Sequence, residues 1–210
     1  MLFRPCYSFS QTGAHGVDKF ETAYKFTQAW EGGLTDDPAD RGGITNYGVS
    51  IEFLKDCERL SSVHVLSLGI KIPVTRESIK TLRRDQARDL FRWRFWNTPD
   101  YGRYETPLAV VLFDCSVNHG ISRAIKLAQK AFNSICPAGA EKLAVDGIQG
   151  PKTKAALESE SSFALARAII SERKKFYQAI VDSNHTQRVF LRGWMNRAND
   201  LDKYVDGLER

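Results

Sequence analysis

A chain of 210 residues, 42% hydrophobic and 26% charged, is long enough to bury one substantial core, and its makeup excludes the disordered, collagenous and coiled-coil classes. Its net charge of +5 points to an anionic partner, whether nucleic acid, a membrane surface or a cell-wall polymer. The four cysteines, Cys6, Cys57, Cys115 and Cys136, are too scattered for a metal motif or a disulfide scaffold, so reduced thiols, no metal, no cofactor and synthesis in the cytoplasm are expected.

The first 16 residues carry no signal peptide, because Arg4 and Pro5 break the apolar residues and no hydrophobic stretch follows; they read as a flexible extension. No apolar run approaches membrane-spanning length, so no stable membrane insertion is expected. Val17, Phe20, Ala23, Tyr24, Ala29 and Trp30 recur at helical spacing and predict a helix over 17–30 that ends at Glu31. Residues 44–50 are turn-rich and fit a short hairpin. A helix over 50–59 and a loop to Pro73 come next. Thr75 and Ser78 then mark the start of a long helix to Trp96. Its end mixes aromatic and basic residues, Phe91 to Trp96, and could stack on bases, but without a recognised motif no nucleic-acid partner is expected. After a turn at Pro99–Gly102, the run over 107–118 could be a buried strand or a central helix; its helical neighbours favour the helix. Further helices are predicted over 121–134, 151–158, 162–182, 185–197 and 198–208. No repeat or linker interrupts the chain. It reads as a mainly α protein with one domain over 17–210, divided into lobes at 17–106 and 107–210.

Residues 30–48 carry the chemistry. Five glycines, at 32, 33, 42, 43 and 48, fit tight turns or close backbone approach to a ligand. Among them stand Glu31, Asp36, Asp37, Asp40, Thr45 and Asn46. A carboxylate at a helix end facing a second in a turn-rich loop suits glycosidic hydrolysis, where one group protonates the leaving oxygen and the other assists water. Singly, each residue has a plain structural role: a helix stopped by Gly-Gly, or Asp and Pro forming turns. Jointly they read as an active site.

The pattern Glu31-Gly32-Gly33, then Asp37-Pro38-x-Asp40-x-Gly42-Gly43-x-Thr45-Asn46-x-Gly48, resembles the signature of glycoside hydrolase family 108. Members are small, mostly helical muramidases found as phage endolysins and in bacterial secretion loci. The resemblance implies a lysozyme-like helical bundle with Glu31 as catalytic acid. The family usually has an aromatic residue where this chain has Leu34, which touches a substrate contact and not the acid. The spacing from Glu31 to Asp40 and on to Thr45 is also similar to the Glu-Asp-Thr arrangement of phage-type lysozymes. Asp40 is therefore expected to steer water or stabilise oxocarbenium character, with Thr45 and Asn46 as water or substrate contacts. Trp30 and helix packing are expected to supply the apolar surroundings that raise the Glu31 pKa.

Three later segments extend the resemblance. Asp114-Cys-Ser-Val-Asn-His-Gly120 is similar to a Val-Asn-x-Gly segment of the family's C-terminal, peptidoglycan-binding half, which makes Asn118 and His119 candidates for wall contact or for bracing. Val145–Thr153 resembles the Asp-Gly-x-x-Gly-Pro-x-Thr loop of small peptidoglycan-binding modules, where Pro151 opens a helix and Asp146 braces the turn. Phe190–Arg197 resembles the family's C-terminal segment, with Trp194 a core aromatic or a sugar platform. The expected activity is hydrolysis of the β-1,4 bond between N-acetylmuramic acid and N-acetylglucosamine in bacterial peptidoglycan, by a monomer that acts on the wall in the periplasm after release. A lytic transglycosylase using the same Glu, or a non-catalytic wall-binding module, remain the alternatives. Exposed basic groups such as Lys152, Lys154, Arg173 and Lys174 are expected to draw the protein to its anionic polymer.

Overall fold

A computed structural model of the protein describes residues 18–35 and 43–208. The proposed extension over 1–16 and the segment Asp36–Gly42, which includes Asp40, lie outside the described residues. The fold is mainly α, a lysozyme-like helical bundle with one two-stranded hairpin after the first helix.

Helix α1 (Lys19–Trp30) starts where the Asp18 carboxylate accepts a hydrogen bond from the Phe20 N–H. It ends without a left-handed glycine: Glu31 itself is the C-cap, in extended backbone at φ −89° and ψ 130°. Strands β1 (Thr45–Asn46) and β2 (Val49–Ser50) form the expected hairpin, with Thr45 opposite Ser50 and Asn46 opposite Val49. Helix α2 (Ile51–Leu60) is capped by Ser50, and a short α3 (Ser62–Ser67), not foreseen in the sequence, is capped by Ser61.

The long helix expected over 75–96 is broken. Helix α4 (Arg76–Lys80) begins as foreseen, with the Thr75 N–H donating to Ser78 Oγ, but it stops at Thr81. Helix α5 (Arg84–Phe91) restarts after Leu82, which is buried at the break. The break has a tertiary cause: the Asn46 side-chain amide donates to the carbonyls of Ile79 (3.0 Å) and Leu82 (3.4 Å), satisfying groups that a continuous helix would have used internally. α5 runs on into a π-helical turn, Arg92–Asn97, which sets Phe91 and Phe95 on the α2 side, both stacked on Phe53.

Helix α6 (Thr106–His119) is the central helix, and ten of its fourteen residues are buried. Such all-round burial explains why its sequence shows no amphipathic period. α1, α7 (Ile121–Ile135) and α9 (Ser162–Ser183) pack around it; α8 (Pro151–Ser159) leans on α7 and α9, and α10 (Arg188–Gly207) lies along α9. The two final segments, expected to separate near 197, form one helix, because Ala198, Leu201 and Val205 continue its buried stripe without a breaker. No helix among the described residues is long and apolar enough to cross a membrane.

Candidate active site

Glu31 leaves α1 directly beneath the hairpin. The two-residue turn Tyr47–Gly48 has positive φ at both positions, 50° and 78°, the primed geometry that closes a tight antiparallel hairpin. Tyr47 is strained in that region, and its surroundings hold it there. Ile44 and Val49 are fully buried, Thr35 and Thr45 exchange backbone hydrogen bonds of 2.8 and 2.9 Å, and Asn46 is tied to the α4–α5 break. The anchored turn brings Gly48 so close that a Cβ there would lie 2.9 Å from both Cγ and Oε2 of Glu31. Only glycine fits over this carboxylate.

The other carboxylate oxygen meets α10. Arg197 Nη1 and Nη2 both donate to Glu31 Oε1, each at 3.1 Å. The same guanidinium donates to Asp114 Oδ1 at 2.8 Å, and Arg173 on α9 donates to Asp114 Oδ2 at 2.6 Å. Thr27 adds a hydrogen bond to Asp114 Oδ1. Asp114 and Arg173 are completely buried, so this is a charge network inside the core. Beyond it, Arg173 Nε donates to the Tyr177 hydroxyl, Tyr177 donates to Asn118 Oδ1, and His119 Nε2 lies 3.1 Å from the same hydroxyl.

Burial pushes the Glu31 pKa above its ordinary value; Arg197 pulls it back without cancelling the rise, and the Asp114 charge adds to it. Burial also opposes ionisation of Asp114, but Arg173 and Arg197 outweigh it and hold that carboxyl down at about 2. His119 is pushed down to about 3 by burial and by the Arg173 charge, so it is neutral at physiological pH and cannot serve as an imidazolium acid. Two arginines and Asp114 alone leave one positive charge in the core; an ionised Glu31 neutralises it. The network therefore favours the carboxylate that remains after a proton is given away, while burial favours the protonated acid beforehand.

Two hollows open on either side of Glu31. One, of about 240 Å³, is lined by Gly48, Phe53, Phe95, Asn118 and Arg197. The other, of about 340 Å³, is lined by Lys25, Gln28, Gly33, Tyr47 and Arg84. Glu31 is the only carboxylate lining either one among the described residues. A larger hollow of about 590 Å³ lies against the 141–156 segment, but it gathers no convergent titratable groups around a reacting position. The Glu31 clefts are the candidate site for chemistry.

Two family models match the chain. The family model for glycosyl hydrolase 108 covers residues 24–120, which include Glu31, the hairpin and Asp114. A second model, described as a predicted peptidoglycan domain, covers residues 123–199, which include Arg173 and Arg197. The chain carries a glycosyl hydrolase 108 segment over residues 24–120. It is a glycoside hydrolase whose substrate is peptidoglycan. No protein of curated function matches the sequence. Among solved structures it is similar to Brucella abortus SagA, at 24% identity and a TM-score of 0.69, over 91% of this chain and 95% of that one; the likeness shows the shared fold.

Within this glycosyl hydrolase the sequence-derived candidates separate. Glu31 and Asn118 line one cleft together. His119 sits behind Asn118 on the Tyr177 hydroxyl. Thr45 is half-buried in β1, with its hydroxyl 3.5 Å from the Gly43 carbonyl. Asn46 is buried, and its amide nitrogen is committed to the α4–α5 break. Asp40 lies outside the described residues. Trp30 does not supply the apolar wall: it is 36% exposed, and Phe53, Phe91 and Phe95 line the cleft instead. Arg173, expected at the surface beside Lys174 and Lys175, is instead buried in the network. Trp194 is half-buried with Tyr177 stacked on one side and Phe190 on the other, in keeping with a packing aromatic.

Arg197, Asp114 and the Phe53–Phe95 wall received no role from sequence, and Gly48 reads there only as one of five glycines suited to turns or close backbone approach. A signal was present for the arginines. Arg173 falls on the buried stripe Leu165, Ala166, Ile169, Ile170, Tyr177, Val181, and Arg197 on the stripe Ala198, Leu201, Val205. A charge on the apolar face of a helix requires a buried partner.

Proposed function

We propose that this peptidoglycan hydrolase is an N-acetylmuramidase that cleaves the β-1,4 bond between N-acetylmuramic acid and N-acetylglucosamine, with Glu31 as general acid. The observation that carries the reading is the state of Glu31: half-buried in a cleft, its pKa raised, one oxygen on Arg197 and the other under Gly48. Glu31 gives its proton to the leaving glucosaminyl oxygen as the bond to the muramyl anomeric carbon breaks. Arg197 then stabilises the carboxylate left behind. Water adds to the anomeric carbon and loses its proton to a base. Asp40 is the proposed base or stabilising carboxylate, and Thr45 a proposed contact to water or substrate. Asn118 supplies a contact to the sugar, and Asn46 and His119 hold the pieces that carry these groups. Residues 17–106 bring the acid and 107–210 bring the arginines, so we treat 17–210 as one working unit.

One observation keeps the lytic transglycosylase in view. Glu31 has no second carboxylate beside it in either cleft among the described residues, and a transglycosylase needs none, since the muramyl 6-hydroxyl closes onto the anomeric carbon. Digestion of purified sacculi followed by mass spectrometry separates the two. A muramidase leaves reducing N-acetylmuramic acid ends, a transglycosylase anhydro ends. Glu31→Gln should lower the rate by about 10²–10⁴-fold, the usual contribution of an acid–base step. A variant that keeps more than about a tenth of the rate removes Glu31 from the acid role.

A further inference from the structure

The cleft on the α1 side of Glu31 does not end there. Lys25, Gln28 and Arg84 also line a further hollow of about 450 Å³, reaching Tyr24, Arg88 and the carboxylates Glu21 and Asp85, so one trough runs from Glu31 along the face of α1. Its charges are unevenly satisfied. Arg88 is paired with Asp89 at 3.1 Å and approaches Glu21 at 3.8 Å, and Arg83 grips Asp85 at 2.9 Å. Lys25 and Arg84 are exposed, and among the described residues neither meets a carboxylate. Arg84 is held instead over the ring of Tyr47, 5.7 Å from its centroid, beside the turn that covers Glu31. In the wall of this trough the Tyr24 hydroxyl is shut from solvent with no hydrogen-bond partner, although Tyr24 as a whole is only 6% exposed. A buried hydroxyl without a partner is costly unless a ligand completes it. The basic groups expected to draw the protein to its polymer are otherwise engaged: Lys152 with Glu141, Lys174 with Asp202, and Arg173 in the core.

We propose that this trough reads the peptide stem of the substrate, with Lys25 and Arg84 pairing the free carboxylate of its second residue. The inference rests on the muramidase reading, because that places a stem-bearing muramyl unit at Glu31. The dimensions agree. Lys25 precedes Glu31 by six residues, so it lies roughly 9 Å back along the helix axis at 1.5 Å per residue. A lactyl ether followed by two extended residues, at about 3.5 Å each, carries the first free stem carboxylate to a similar distance. Arg84 can grip that carboxylate in a fork, Lys25 adds a point charge, and Gln28 and Tyr24 add neutral donors. The assignment makes the enzyme selective for glycan that still bears stems.

The test compares glycan strands that keep their stems with strands stripped by an amidase, using the full chain and a Lys25→Gln, Arg84→Gln double variant. Both side chains are exposed, so the variant should fold. Wild type should cut stem-bearing strands faster. The ratio of the two rates should fall roughly 2- to 25-fold in the variant, since each exposed ion pair is worth about 1.4- to 5-fold. Amidating the second-residue carboxylate should produce the same loss in wild type and little further loss in the variant, and raised salt should shrink the wild-type ratio. Tyr24→Phe should lower the ratio with no loss of melting temperature. A wild type that cuts both strands while the variant leaves the ratio unmoved overturns the stem assignment and leaves the muramidase reading standing. A wild type that releases no muramic acid ends from either strand overturns both.

Discussion

Gly48 gives the sharpest separation between folding and chemistry. An alanine there must adopt φ 78°, and its Cβ must find room 2.9 Å from Glu31 Cγ and Oε2 and 3.0 Å from Glu31 Cβ. The backbone term is about 1–2 kcal/mol for a non-glycine residue in left-handed conformation, which in a chain of this size lowers the melting temperature by roughly 2–8 °C. The steric term falls on Glu31, the proposed acid. Hairpin movement is resisted by Ile44, Val49 and Asn46, so the carboxylate is the part that shifts, and Arg197 grips its other oxygen. A displacement of about 1 Å at a reacting group costs on the order of 10²-fold in rate. Gly69 is the matched control: its φ is 75°, and a Cβ there meets nothing nearer than Gln86 Nε2 at 3.7 Å. Calorimetric melts and rates of muropeptide release from purified sacculi, measured on both variants, decide the matter. Gly48→Ala should lose about 10²-fold in activity and Gly69→Ala should stay within about twofold of wild type, at similar melting temperatures. Equal activities in the two variants would refute the claim that Gly48 is required by the acid and not by the turn alone.

Asp114→Asn leaves the buried Arg173 with no carboxylate and Arg197 with Glu31 alone; breaking such a pair costs about 3–5 kcal/mol, a fall of roughly 6–20 °C in melting temperature, and a shift below about 2 °C would show that the charge is dispensable. The two carboxyls also predict opposite pH effects on stability. Asp114, held at about 2 against its usual 3.8, contributes stability that is complete above its usual value and lost as pH falls toward 2. Glu31 has a raised pKa, so its protonation on acidification from neutral should stabilise the fold until its ordinary range near 4.5 is passed. Urea titrations across pH check both signs, and Asp114→Asn should remove the loss at low pH. Activity should fall as pH rises through the raised Glu31 pKa, because the acid must hold its proton; a rate that climbs on that limb would contradict the assignment.

Elements governed by local chemistry were legible. Thr75 marks a helix start, the Tyr47–Gly48 turn has its glycine, and Glu31 stands out at a helix end among turn residues. The misreadings share a cause, which is distance along the chain. Thr81–Arg83 looks helical until Asn46, more than thirty residues earlier, takes the carbonyls of Ile79 and Leu82. Arg173 looks like part of a solvated cluster because Lys174 and Lys175 follow it, yet it alone of the three falls on the buried stripe. The apolar wall at Glu31 was assigned to its sequence neighbour Trp30, whereas a π-helical turn some sixty residues on delivers Phe95 there. Periodicity identifies the face a residue occupies and not its partner on that face.

That distance bears on how the two matched segments divide the work. Glu31 and Asp114 belong to the glycosyl hydrolase segment over 24–120, and Arg173 and Arg197 to the peptidoglycan segment over 123–199. Were the second segment only a wall-binding attachment, its contacts with the first would resemble a polar interface between domains. Instead, the fully buried Asp114 has both of its cations supplied from across that boundary, and one of them also holds Glu31. An uncompensated carboxylate at that depth would not remain ionised, and Glu31 would lose the cation that stabilises its charged form. The second segment is therefore part of the electrostatic environment of Glu31, whatever else it contributes.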